Sequence, residues 1–147
     1  MKKYTESENK DSTNSNENIE EYIQSLEISL ANLEKAGALF LSIGYFTFFI
    51  GANLDILEIL DINNTGQSPD KTFFEGQSLT VIGYILLWVV ALNRVNVDIL
   101  KEKYTGESES IYPHEKLAAA YALSVFANLT RLDVFAYLYN LSLQNKD

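Results

Sequence analysis

The sequence predicts an all-α fold, a small polytopic membrane helical bundle, and three observations carry that expectation. Two long runs hold no charged residue: Ala36–Leu54, nineteen residues, and Gly76–Asn93, eighteen residues. Each approaches the ~20 apolar residues that cross a bilayer as a helix. Glycines recur every seven residues in the first run, at Gly37, Gly44 and Gly51, which puts them on one helical face. Neither of the two prolines falls inside an apolar run, as an uninterrupted helix requires.

Composition narrows the function classes. The formal net charge of −9 over 147 residues argues against a nucleic-acid partner, because phosphate binding needs clustered Lys and Arg. With no cysteine and one histidine, His114, neither a disulfide framework nor a Cys/His zinc site can be built within one chain. No glycine-rich phosphate loop, HExxH, GxSxG or EF-hand pattern occurs in the sequence. No catalytic residue, metal or cofactor is therefore expected, and the chain is not read as an enzyme.

Residues 1–18 contain one aromatic and, apart from Met1, no larger apolar side chain. Such a stretch cannot bury apolar surface and reads as a disordered polar tail. Lys2 and Lys3 are followed by no apolar run, so the tail is not read as a signal peptide.

Residues 19–35 read as an amphipathic cytoplasmic helix. Ile19, Ile23, Leu26, Leu30 and Leu33 recur at steps of four and three, and Glu20, Glu21, Glu27 and Glu34 lie off that seam. This is coiled-coil spacing. The phase runs unbroken through Gly37, Phe40, Gly44, Thr47 and Gly51, which predicts one helix continuous with the first span at 36–54. Turn formers at Ile62–Gly66 predict its end. Asp55, Glu58 and Asp61 give that end an acidic face, read chiefly as a solvated helix terminus.

The remaining 36–147 form the expected helical membrane domain. Its second span is 76–93, preceded by the interfacial aromatics Phe73 and Phe74. A third, at about 117–135, begins with fourteen uncharged residues and then meets Arg131 and Asp133. Fourteen residues are short for a span, but Lys116 and Arg131 can extend it by snorkelling. The competing reading is a helix lying at the interface or packed on a partner. Pro113 marks the first turn of this helix, and His114 beside it reads as an exposed helix-start residue.

Ile43-Gly44-Tyr45 recurs as Ile82-Gly83-Tyr84, and Ala120-Tyr121 continues the same pattern in the third segment. This weak repeat treats the three segments as equivalents. It nominates Gly37, Gly44, Gly51, Gly76, Gly83, Ala120 and Ala127 as helix-packing positions, since close backbone approach at small residues holds helices together in lipid. An antiparallel hairpin pairing Gly44 with Gly83 and Gly51 with Gly76 is expected, with Leu30 near Val97 and Ile23 near Tyr104. The alternative is that the seam pairs with a second copy.

Lys35, Arg94, Lys101, Lys103 and Lys116 flank one side of the spans, and Lys71 alone lies in the 55–75 loop. The positive-inside rule then puts the N-terminus in the cytoplasm, most simply at the cytoplasmic membrane. Asp55, Arg94, Arg131 and Asp133 are the candidate intramembrane polar residues, because ionisable groups in a bilayer are functional candidates by default. Asn53, Asn93 and Asn128 read chiefly as simple interfacial polarity, with inter-helix hydrogen bonding as the alternative. The expected partners are the lipid bilayer and a protein partner or a homo-oligomer. The expected role is a non-enzymatic accessory, regulatory or assembly subunit. A transport or channel component with a polar path is the alternative, and a soluble helical bundle the second.

Overall fold

A computed structural model describes residues 5–106 and 110–144 as a bundle of three helices, with no strand among them. They are α1 (Thr5–Ile59), α2 (Pro69–Thr105) and α3 (Tyr112–Gln144). The expected continuity of the amphipathic and apolar segments appears as a single α1 of 55 residues, roughly 80 Å long at 1.5 Å per residue. It reaches back beyond Ile19 to Thr5, into the stretch read as a disordered tail. Extending a formed helix is far easier than starting one, so burial at each residue is not required. Residues 1–4 of that tail lie outside the described residues.

Helix α1 ends at Ile59, earlier than the turn formers imply. The Ile62 amide donates to the Leu57 carbonyl at 3.0 Å and the Asp61 amide to Glu58 at 2.9 Å. This is the Schellman closure, and it needs a left-handed residue at Asp61, whose φ is 55°. Asn63 then organises the turn. Its Oδ1 accepts from the Thr65 amide at 3.1 Å and the Thr65 hydroxyl at 2.7 Å, while its Nδ2 donates to the Gln67 carbonyl at 3.0 Å. Ser68 is the extended N-cap of α2 and Pro69 opens the helix. There the missing amide leaves no bond unmade. Gly106, at φ 73°, closes α2.

The short connections make neighbouring helices antiparallel. Helix α2 is the middle element: α1 and α3 both pack on it, while the backbones of α1 and α3 do not approach each other. Between Ile19 and Leu33 the α1 seam faces inward. Ile23 is buried and its companions are half-buried, whereas Glu20 and Glu21 are exposed. Of the three helices, α1 and α2 are long and apolar enough to cross a membrane by length and composition, and α3 is not.

Candidate functional site: the polar and aromatic junctions of the bundle

The glycines sit where α1 and α2 come closest, but not in the expected pairs. A Cβ on Gly44 would lie 2.6 Å from Thr80 Oγ1 and 2.9 Å from the Gly76 carbonyl oxygen. One on Gly37 would meet Leu87 at 3.1 Å and the Gly83 carbonyl at 3.2 Å. One on Gly51 would meet the Phe73 ring at 2.9 Å, and one on Gly83 would meet Leu41 at 2.8 Å. The Gly44–Gly83 and Gly51–Gly76 pairs therefore do not form. Gly44 instead meets Gly76 and Gly37 meets Gly83, so the glycine pairing is shifted by seven residues, one heptad, and each glycine accommodates a side chain or carbonyl from the other helix. Tyr104, expected beside Ile23, is instead 45% exposed. Ala120 and Ala127 are also exposed, and Ala118, Val125 and Asn128 form the buried face of α3. The repeat's small residues on α3, Ala120 and Ala127, therefore do not lie on its buried face.

Two ion pairs clamp α1 to α2 at the end away from the Asn63 turn. Arg94 Nη2 lies 2.5 Å from Glu34 Oε2, and Lys101 Nζ lies 2.7 Å from Glu27 Oε1. At the same end, His114 is not merely an exposed helix-start residue. Its Nδ1 is 2.5 Å from Oδ2 of Asp98, a carboxylate only 6% exposed. With a carboxylate as acceptor, Nδ1 must carry the proton. This contact ties the start of α3 to α2.

Halfway along, the α2–α3 contact is polar. Gln77 is fully buried. Its Nε2 donates to the Asn128 carbonyl at 2.9 Å and to Asn128 Oδ1 at 3.0 Å, and Asn128 Nδ2 donates to the Ser124 carbonyl at 2.8 Å. Gln77 Oε1 is buried with no hydrogen-bond partner among the described residues. Asn53 and Asn93 make no such cross-helix bond; each donates back to its own helix, to Phe49 and Val89 respectively. Gln77 was not legible as a candidate. A glutamine inside an uncharged run differs from an interfacial polar residue only in which way it faces.

Next along the bundle, the rings of Phe48, Phe73 and Phe135, one from each helix, meet with centroids 5.5–5.8 Å apart. Arg131 holds its guanidinium 5.4 Å over the Phe48 ring, a cation–π contact. Phe74 stacks on Tyr139 beyond it at 5.9 Å. On the other side of the junction the hydroxyls of Tyr45 and Tyr84, equivalent positions of the repeat, lie 3.2 Å apart.

The four candidate charges are thus not brought together. Arg94 pairs with Glu34, Arg131 lies over Phe48, and Asp55 and Asp133 are exposed. No group of three or more His, Asp or Glu side chains is placed to hold a metal among the described residues. A crevice of about 440 Å³ opens beside the Asn63 turn, lined by Thr47, Lys71, Thr72, Tyr139 and Ser142 among others. Its lining also includes Ser68 and Glu75, the latter paired with Lys71 at 3.7 Å. Comparison with protein-family models, with curated proteins and with solved structures finds no match.

Proposed function

We propose that this is a small integral membrane protein that crosses the bilayer three times, N-terminus in the cytoplasm. In this reading it acts through helix–helix contact as an accessory, regulatory or assembly subunit, without chemistry of its own. One observation carries the reading: the apolar surface is left uncovered. Within the chain only 22% of the apolar window of α1 and 33% of that of α2 is buried. A core helix of a water-soluble bundle hides most of such a window, and a contiguous exposed apolar patch marks a membrane or partner surface. Phe46 and Phe49 are each 64% exposed, on the α1 face turned away from α2.

The third span rests on packing rather than hydropathy. Helix α3 lies along α2 from the His114–Asp98 contact at one end to the Tyr139–Phe74 stack at the other. If α2 crosses, α3 occupies the same depth, with Asn128 and Gln77 satisfying each other away from lipid. The orientation rests on Lys35, Arg94, Lys101 and Lys116 lying at one end of the bundle and Lys71 at the other. The transport reading finds less support, since Asp55, Arg94, Arg131 and Asp133 line no common path.

Fractionation of expressing cells tests the proposal. The protein is expected to stay with membranes through an alkaline carbonate wash and to enter solution only with detergent. Recovery in the soluble fraction without detergent would refute it.

A further inference from the structure

We propose that copies of this chain associate side by side in one bilayer through α3, head to tail, with Asp133 of one copy meeting Arg131 of the next. The inference rests on the membrane reading above and adds the surface and the partner. It starts from the face of α3 turned away from α2. Leu123, Phe126, Thr130, Asp133 and Tyr137 recur at steps of three and four, the spacing of a helix-packing seam. Leu123 is 72% exposed, Phe126 73% and Tyr137 67%. In the middle of this apolar stripe stands a carboxylate, Asp133, exposed and in no ion pair among the described residues. A charge on a lipid-facing stripe is costly unless it is paired.

The matching cation is in the same sequence. Arg131 is exposed too, and its guanidinium lies on the α1 side of α3, over Phe48, in no ion pair among the described residues. Two residues apart on a helix, the side chains of Arg131 and Asp133 diverge by about 200° and cannot pair with each other. They differ in depth by only about 3 Å. Copies inserted in one bilayer share one orientation, so Asp133 of each copy is level with Arg131 of its neighbour, and charge complementarity needs no second sequence. The Leu123–Tyr137 stripe then docks on the α1–α3 edge around Phe48. Two different patches on opposite sides of one helix make a heterologous interface, which excludes a two-fold dimer. The expected assembly is a closed ring of three or more copies, or an open row.

Exchange of the two charges gives the test. The chain has no cysteine, so an Asp147→Cys form takes one donor or acceptor dye per copy, and energy transfer in phosphatidylcholine vesicles of decreasing protein density reports association. Asp133→Arg alone and Arg131→Asp alone are each expected to associate roughly thirty-fold more weakly than the parent, the scale of breaking one close charge pair. An equimolar mixture of the two is expected to recover, since one variant carries two arginines and the other two aspartates. Retained helical circular dichroism and retained insertion show that each variant folds. If the exchanges unfold the chain, Asp133→Asn and Arg131→Gln decide the matter by the same loss. A parent that stays monomeric in vesicles, variants that associate like the parent, or folded variants whose mixture does not recover would each overturn the proposal. Protein that needs no detergent and does not insert defeats the membrane reading itself. Insertion without self-association defeats this inference alone.

Discussion

Replacing Gly44 with alanine measures how tightly α1 and α2 are fitted. The added methyl would sit 2.6 Å from Thr80 Oγ1, 2.9 Å from the Gly76 carbonyl oxygen and 3.1 Å from the Thr80 amide. Thr80 is fully buried and its hydroxyl already donates to the Gly76 carbonyl at 2.9 Å. A β-branched side chain on a helix has few rotamers to retreat into, and two of the three obstacles are backbone atoms. The helices must therefore separate locally. Overpacking of this kind costs about 1–3 kcal/mol. Alanine returns about 0.8–1.0 kcal/mol over glycine in helix propensity, which leaves a net loss of up to about 2 kcal/mol. Gly37→Ala is the internal control. Its methyl meets Leu87 at 3.1 Å, a side chain that can give way, and the Gly83 carbonyl only at 3.2 Å, so the propensity gain offsets most of the contact and the net change is smaller than at Gly44. Equilibrium unfolding in mixed micelles with increasing SDS, monitored by far-UV circular dichroism, reads both. A Gly44→Ala protein as stable as Gly37→Ala would refute the idea that the Gly44–Thr80 contact sets the hairpin spacing.

Two further predictions concern the turn and the polar contact. Asp61 holds a left-handed φ of 55° at the position where glycine carries least strain, so Asp61→Gly should stabilise the protein by up to about 1 kcal/mol, and a lower SDS midpoint than the parent would contradict this. At the α2–α3 contact, Asn128→Ala removes one acceptor of Gln77 Nε2 but leaves the Asn128 carbonyl, for a loss of about 1 kcal/mol. Gln77→Leu also removes the buried, unpartnered Oε1 and should cost less. The double-mutant cycle between them is expected to give a coupling of about 0.6–1.7 kcal/mol, and zero coupling would place the two side chains apart.

The helices were legible because their signals are periodic and redundant. The Ile19–Leu33 seam and the glycine spacing both fix α1, and Pro69, Gly106 and Pro113 punctuate the rest of the chain. Register was not legible. A stripe repeating every seven residues fits its partner at several offsets, and the choice falls to Thr80, Leu41, Leu87 and Phe73, whose shapes fill the glycine positions. Rotational phase defeated the reading of Asn53, Asn93 and Asn128 as equivalents, since only Asn128 faces another helix. Gln77 and the His114–Asp98 contact join residues 51 and 16 positions apart, and no local pattern announces either. The left-handed turn at Asp61 was hidden for the opposite reason: aspartate there reads as one more acidic residue of a solvated end.

The placement of α2 between its neighbours has a consequence for biosynthesis. Nearly all that α1 rests on comes from α2, through the glycine contacts and the Glu34–Arg94 and Glu27–Lys101 pairs, and the next segment to leave the ribosome after α1 is α2. The hairpin therefore has its partners before any of α3 exists, and neighbouring segments close at little entropic expense. Helix α3 arrives last, against a finished surface that already offers the Gln77 amide, the Asp98 carboxylate and the Phe48–Phe73 ring pair. Synthesis and assembly thus run in the same order along the chain, and Gln77 and Asp98 of α2 wait for polar partners, Asn128 and His114, that arrive with α3.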